Sequence, residues 1–303
     1  MNAAYFEQTR LMLRVLPHVA VEKCFALKGG TAINFFVRDM PRLSVDIDLI
    51  YLPVGPREQS LAEIDAALKR IKERLSRALG AGHAVREALV EKRVAKLLVT
   101  GPGGMVKVEP NLILRGTVGT AVPRELSKKA AAAFDLSAVI ATADSADLYG
   151  GKLCAALDRQ HPRDLFDVKV LLENEGITPE IRKAFVVYLA SHPRPMHEVI
   201  APAAQDISVL FEGGFRGMTD EAVTLAELTA ARERMIALLN AGLTKDEKAF
   251  LLSLKEGSPD WGLLGVPGAD KLPAIQWKLQ NIRKMAPAKR KEQLENLRRK
   301  LGL

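Results

Sequence analysis

The chain of 303 residues has only two cysteines, Cys24 and Cys154, far apart and each in apolar surroundings. A disulfide framework or a cysteine metal site needs paired or closely spaced thiols, so the sequence offers neither. The two fit buried thiols of a reducing compartment. Aromatic residues make up 5% of the chain, and Trp261 and Trp277 stand alone, as packing residues do and base-stacking platforms do not. His18, His83, His161, His192 and His197 show no metal-ligand spacing, and no Ser/His/Asp arrangement is present. No apolar run approaches the roughly 20 residues of a membrane span. Residues 1–20 carry Glu7, Arg10, Arg14 and His18 and lack the apolar core of a signal peptide. The expected location is the cytoplasm, without a membrane partner. Low-complexity tracts and internal repeats are absent too.

What remains is an ordinary globular composition, 48% hydrophobic and 26% charged, long enough for one large domain or two. Its charge is unevenly placed. Residues 271–303 hold ten Lys or Arg against Glu292 and Glu295, a net +8, while the first 270 residues are balanced. A concentrated basic end suits a polyanion partner, and equally a solvated helix that keeps the protein soluble.

Periodicity organises the chain. Residues 3–16 read as an amphipathic helix stopped by Pro17. The apolar run Cys24–Leu27 leads into Lys28-Gly29-Gly30-Thr31, and residues 32–37 read as a helix. Val45 to Leu52 alternates as a strand, and residues 57–80 form a long charged helix. Two strands, 94–100 and 105–114, flank the turn Gly101-Pro102-Gly103-Gly104. Residues 145–159 and 163–173 read as helices, and from Pro179 onward almost every pattern is helical. These patterns place an α/β half over 1–176, a small mixed sheet with flanking helices, and a helical half with the basic tail over 177–303.

The chemistry concentrates where strand, Lys-Gly-Gly-Thr, helix and an Asp-x-Asp strand follow one another. Side chains at i and i+2 of a strand share a face about 7 Å apart, so Asp46 and Asp48 project together. Two ionised carboxylates that close repel, and a divalent cation relieves the repulsion. Oxygen ligands and octahedral geometry suit Mg²⁺, with nucleotide phosphates completing its shell. Gly29 and Gly30 let the backbone approach a ligand, and the following helix presents N–H groups to phosphate. Thr31 adds a hydroxyl and Lys28 a charge, unless Lys28 is only a solvated lysine before a turn. Ser44, two residues before Asp46, shares that face. It is a candidate for binding phosphate or metal-bound water, or for accepting a phosphoryl or nucleotidyl group that blocks the site. A strand-edge serine bonded to its own backbone is the plain alternative.

Residues 28–36, Lys-Gly-Gly-Thr-Ala-Ile-Asn-Phe-Phe, and 42–50, Arg-Leu-Ser-Val-Asp-Ile-Asp-Leu-Ile, closely resemble the AbiEii/AbiGii abortive-infection toxins over about residues 25–175. The resemblance implies a polymerase-β-like nucleotidyltransferase fold. It also implies a bacterial toxin of a toxin–antitoxin pair, with a cognate antitoxin as partner. Some members add nucleotides to the 3′ end of tRNA. A second block, Ala146 to Arg159 followed by His161-Pro162-Arg163-Asp164-Leu165-Phe166-Asp167, resembles the family's second signature, which implies that Lys152 and Asp164, or Asp167 instead, act in the site. Lys152 and Arg159 are seven apart on one helix face, where they can meet a triphosphate. The plain alternative is an ion-pair network of Arg159, Arg163, Asp164 and Asp167, which explains Lys152 less well. A third carboxylate is expected in this fold on a neighbouring strand. Glu109 is the candidate, sharing a polar face with Lys107 and Asn111, although Pro110 fits an interior strand poorly.

The expected function is therefore Mg²⁺-dependent transfer of a nucleoside monophosphate from an NTP to tRNA or another RNA. Two rivals stay open. One is the same chemistry on a small molecule or a protein side chain; the other is a non-catalytic module that binds RNA or an antitoxin.

Overall fold

Apolar residues at alternate positions are the ones that become core. Leu97 and Val99 on one strand, and Val106 and Val108 on the next, are fully buried. In the computed structural model, which describes residues 1–303, the chain forms two compact units.

The first unit is Met1–Asp144 with Arg216–Ala222. Its elements are α1 (Ala3–Ala20), β1 (Phe25–Lys28), α2 (Gly29–Ala32) running into a π-helical turn (Ile33–Val37), β2 (Ile47–Tyr51) and α3 (Arg57–Ala78). There follow β3 (Ala84–Val90), β4 (Arg93–Gly101), β5 (Gly104–Arg115), β6 (Val122–Glu125), α4 (Lys128–Phe134) and β7 (Val139–Thr142). The seven strands form one mixed sheet in the order β3-β4-β5-β2-β1-β7-β6, with β1–β7 and β2–β5 parallel and the other pairs antiparallel. This is the expected α/β class. β3, β6, β7 and α4 carry little sequence signal, because they are short or partly exposed, and Pro123 interrupts the β6 pattern.

Three local features depart from expectation. Pro17 does not stop α1, which continues to Ala20. Met12, Val15, Leu16 and Val19 form one buried stripe across it. Burying each such side chain contributes about 1.5–3 kcal/mol, which together outweighs the roughly 3 kcal/mol a helical proline costs. β2 begins at Ile47, so Asp46 sits just ahead of the strand. Pro110 lies inside β5, opposite Leu49, and the register then shifts: β5 runs from Pro110 to Arg115 while β2 runs only from Leu49 to Tyr51. The surplus residues bulge out, and the Asn111 side-chain carbonyl holds them, accepting from the N–H of Ile113 at 3.0 Å and Leu114 at 2.8 Å. A proline beside a bulge costs the ladder little.

α3 buries Leu61, Ile64, Leu68, Ile71 and Leu75 along one stripe. Beside it, Glu22 accepts from Arg70 at 2.6 Å and Arg74 at 2.5 Å. Burial raises the Glu22 carboxyl, but the two guanidinium groups outweigh it and hold the group below its usual 4.5. Its contribution is therefore full above pH 4.5 and is lost as the pH falls through the depressed value. Glu22→Gln should cost about 1–3 kcal/mol at neutral pH. The gap from wild type should narrow in acid, which urea melts at several pH values would read.

Residues 216–222 belong with this unit through main-chain bonds: Gly217 C=O accepts from Asn2 N–H and Met218 C=O from Leu43 N–H, each at 2.7 Å.

The second unit, Ser145–Phe215 with Val223–Leu303, is helical. It contains α5 (Ser145–Arg159), α6 (Pro162–Glu173), α7 (Pro179–Ser191), α8 (Met196–Ile200), α9 (Ser208–Gly214) and α10 (Leu225–Gly242). α11 (Lys245–Glu256), α12 (Trp261–Leu264), α13 (Pro273–Lys284) and α14 (Pro287–Lys300) complete it. Thr224 and Thr244 open α10 and α11 with full capping boxes. The units divide at Asp144 instead of near residue 176. The cause is close packing of α5 on α7, where a Cβ on Gly150 would lie 2.7 Å from the Phe185 nitrogen. No helix is long and apolar enough to cross a membrane.

Candidate active site

Strand register builds the site in the first unit. β1 sets Lys28 opposite Asp48, and β2 sets Asp48 opposite Glu109. On β4, Lys96 meets Glu109 in an ion pair of 3.0 Å. Lys28, Asp48, Glu109 and Lys96 thus form one row across four neighbouring strands, two carboxylates between two ammonium groups. Neighbouring strands lie about 4.8 Å apart, so the carboxylates are held near one another, where like charges cost stability. Lys96 and Lys28 offset that cost.

The glycines shape the same place. Gly29 has φ +69°, and a Cβ there would lie 2.4 Å from Asp48 Oδ2. Only glycine lets this carboxylate rest against the start of α2. A Cβ on Gly30 would lie 2.6 Å from Arg42 Nη2 and 3.2 Å from Ser44 Oγ. Gly29→Ala should destabilise the fold by about 1–3 kcal/mol and displace Asp48, which thermal melts would register as a lower Tm.

Several expected contacts take other forms. Thr31 is fully buried, and its hydroxyl lies within bonding reach of the Asp46 carbonyl and of Ser44 Oγ at 2.9 Å. It orients the segment that carries the carboxylates instead of reaching a phosphate. Ser44 is buried as well, with its carbonyl accepting from the Thr9 hydroxyl. Burial closes it to a modifying enzyme in this conformation. Asp46 and Asp48 are both half-buried and accessible. Glu109 is held by Lys96, and no group of three His, Cys, Asp or Glu side chains gathers to hold a metal by itself. The two aspartates still fit Mg²⁺, which takes one or two carboxylates and completes its octahedron with waters and substrate phosphates. Sequence reading missed Lys96, whose place depends on strand pairing, and Arg42. Arg42 is buried behind Gly30 and donates to the Leu43 carbonyl at 2.8 Å.

A cavity of about 340 Å³ opens on this row, lined by Lys28, Asp48, Lys96 and Glu109 and by apolar side chains farther along β3 and β5. Its volume is in the range of small-ligand sites.

In the second unit the signature residues pair with one another. Lys152 Nζ lies 2.9 Å from Asp164 and 2.8 Å from Asp167, and Arg159 lies 2.7 Å from Asp164. The Lys152, Asp164 and Asp167 side chains are 6%, 5% and 0% exposed, while Arg159 is 62% exposed. Lys152 is thus the hub of the ion-pair network, contrary to the expectation that pairing explains it least. Asp164 and Asp167, three apart on α6, present carboxylates that one ammonium group can bridge. Asp167, with no exposed side chain, makes no nucleotide contact in this conformation. His161 opens α6, its Nδ1 accepting from the Arg163 N–H at 3.1 Å.

None of the curated proteins compared with the chain matches it in sequence. Among solved structures, MenT4, a nucleotidyltransferase toxin from Mycobacterium tuberculosis H37Rv, is similar in fold, with a TM-score of 0.61 and 16% identity over 93% of this chain and 95% of that one. The family model for the nucleotidyl transferase AbiEii toxin of type IV toxin–antitoxin systems matches residues 10–281. With that match across most of both units, and the glycine–carboxylate site lying within it, the chain belongs to the AbiEii family of nucleotidyltransferase toxins.

Proposed function

We propose that the protein transfers a nucleoside monophosphate from an NTP to the 3′ end of an RNA, tRNA first among candidates, with Mg²⁺ and release of pyrophosphate. The observation that carries this reading is the seating of Asp48 against the start of α2, on a Gly29 that has no room for a side chain, with Glu109 in register beside it. The acceptor hydroxyl oxygen attacks the α-phosphorus. A new P–O bond forms, the bond from the α-phosphorus to the bridging oxygen breaks, and pyrophosphate leaves with that electron pair. The hydroxyl proton passes to Glu109 once its carboxylate turns from Lys96. Asp46 and Asp48 would hold Mg²⁺, whose contribution is to neutralise phosphate charge. Gly29, Gly30 and Lys28 receive the phosphates, and Thr31 and Arg42 hold those groups in place. Lys152 and Asp164 keep the catalytic role that the resemblance gives them, as a preformed pair, and exposed Arg159 is their one cation open to an anionic ligand.

Of the basic residues near the C-terminus, Lys278 is buried and donates to the carbonyls of His192 and Arg194 at 2.6 and 2.5 Å, so it serves the fold. Lys289, Lys291, Arg299 and Lys300 on α14 are exposed and suit RNA phosphates. Replacing those four with glutamine should weaken RNA binding and flatten its salt dependence. Affinity unchanged in slope and size would remove α14 from the interface. A cognate antitoxin is the proposed protein partner, and the cytoplasm the proposed location.

The direct test of the nucleotide site is binding. Mg²⁺ with NTP should raise the Tm of wild type and leave Asp46→Ala unmoved. An equal rise in both proteins would contradict the site. Transfer that labels a protein or a small molecule and never RNA would favour the rival acceptor.

A further inference from the structure

The cavity on the charged row extends beyond what nucleotide and metal require. From Asp48 and Glu109, β2 and β5 run in the same direction, and the cavity follows them to Asn111, Leu112 and Ile113 on the β5 bulge and to Val90 at the end of β3. Val90 and Ile113 are 51% and 54% exposed, and both line this one concavity. Asn111 lines it as well, its side-chain carbonyl fixed by the N–H groups of Ile113 and Leu114. With the oxygen held, the amide nitrogen of Asn111 is the donor that this residue brings to the cavity wall. The far part of the cavity therefore offers apolar walls and one fixed donor, the chemistry that receives a flat ring bearing an acceptor atom on its edge.

We infer that this part of the cavity is the subsite for the last nucleoside of the acceptor RNA, with the base against Val90 and Ile113 and its edge read by Asn111. The inference rests on the transferase reading above. Under that reading the reacting hydroxyl must come within hydrogen-bond reach of Glu109, so the sugar that carries it, and the base on that sugar, enter from the side of Glu109. The cavity begins at Glu109, and its far end is apolar. Lys96, released when Glu109 turns to the hydroxyl, is placed to meet the charge of the last phosphodiester. The subsite makes the terminal base a determinant of acceptor binding. It leaves the incoming NTP to the glycines and aspartates.

Two variants separate the subsite from the fold. Asn111→Asp keeps an oxygen for Ile113 and Leu114, so the bulge survives, and exchanges the donor for an acceptor. Val90→Ser with Ile113→Ser removes apolar walls that are half-exposed and lie outside the core. Wild type should use an RNA ending in a complete nucleoside with a KM about ten-fold lower than the same RNA ending in an abasic sugar. In each variant that ratio should fall toward one, while the Tm rise given by Mg²⁺ and NTP stays as in wild type. A preserved ratio, or a loss confined to NTP binding, would overturn the subsite while leaving the transferase reading standing. Wild type that labels no RNA overturns the transferase reading, and the subsite with it.

Discussion

Asp48→Asn is expected to lose nucleotide transfer by roughly 10³-fold or more while melting near the wild-type temperature. The two halves of this result have one cause. Asparagine keeps the shape of the side chain that rests against Gly29, where a Cβ would come within 2.4 Å of the carboxylate, so packing is preserved. It removes a negative charge that stands in register with Glu109, and like charges on directly opposed strand positions are unfavourable. Folding is relieved of that repulsion and gives up the attraction of Lys28 across β1, and the two changes offset one another. Under the proposed function, transfer loses the carboxylate that would hold Mg²⁺. Residual activity is measured against thermal unfolding on the same preparation. A lower Tm with activity lost in proportion would mean that Asp48 is structural.

Lys152→Met is expected to destabilise the second unit by about 3–5 kcal/mol, the largest stability effect of any single change considered. Lys152 neutralises Asp164 and Asp167, whose side chains are 5% and 0% exposed, and Asp167 has no exposed route to solvent. Arg159 still reaches Asp164 at 2.7 Å, so the change is felt most at Asp167, which loses its 2.8 Å pair with Lys152. A buried carboxylate without its cation must either take up a proton or open the helices around it. The triple variant Lys152→Met, Asp164→Asn, Asp167→Asn should recover much of the stability, because no buried charge remains. Urea denaturation of the single and triple variants reads both numbers. Equal loss in the two would mean that packing of the lysine stem, not charge, is what the cluster supplies. The same comparison bears on catalysis: activity lost in Lys152→Met counts toward a catalytic role only at temperatures where that variant is folded.

How much of this could be read in the sequence follows from which interactions are local. Gly29, Gly30, Asp46 and Asp48 lie within twenty residues, and strand alternation suggests a shared face for the aspartates, although β2 begins only at Ile47 and Asp46 precedes it. Strand-period patterns also located β4 and β5, with Glu109 on the polar face. The mixed sheet with helices agrees with the structure and with the fold of MenT4. Lys96 was illegible, because its partner is decided by which strand β4 joins and in what register. Pro110 looked wrong for a strand only because the bulge that follows it depends on the length of β5 against β2. Thr31 has a donor suited to phosphate, yet Asp46 and Ser44 are nearer partners once the chain turns at Met40, a non-glycine residue at φ +55°. Residues 216–222 join the first unit through two main-chain carbonyls, the Thr219 hydroxyl donating to Pro41 C=O and Asp220 pairing with the N-terminal ammonium, contacts between distant residues that no local pattern announces. The hub role of Lys152 required the packing of α5 against α6, which helical spacing does not specify.

The central claim is that the glycine–carboxylate row moves a nucleotide onto RNA. Its most direct test is purified protein with Mg²⁺, total tRNA and each of the four α-labelled NTPs in turn, alongside Asp48→Asn. The proposed function predicts label on tRNA with one or two of the nucleotides and none with the variant. Label that appears equally with the variant, or no label on any RNA from folded wild type, would contradict it.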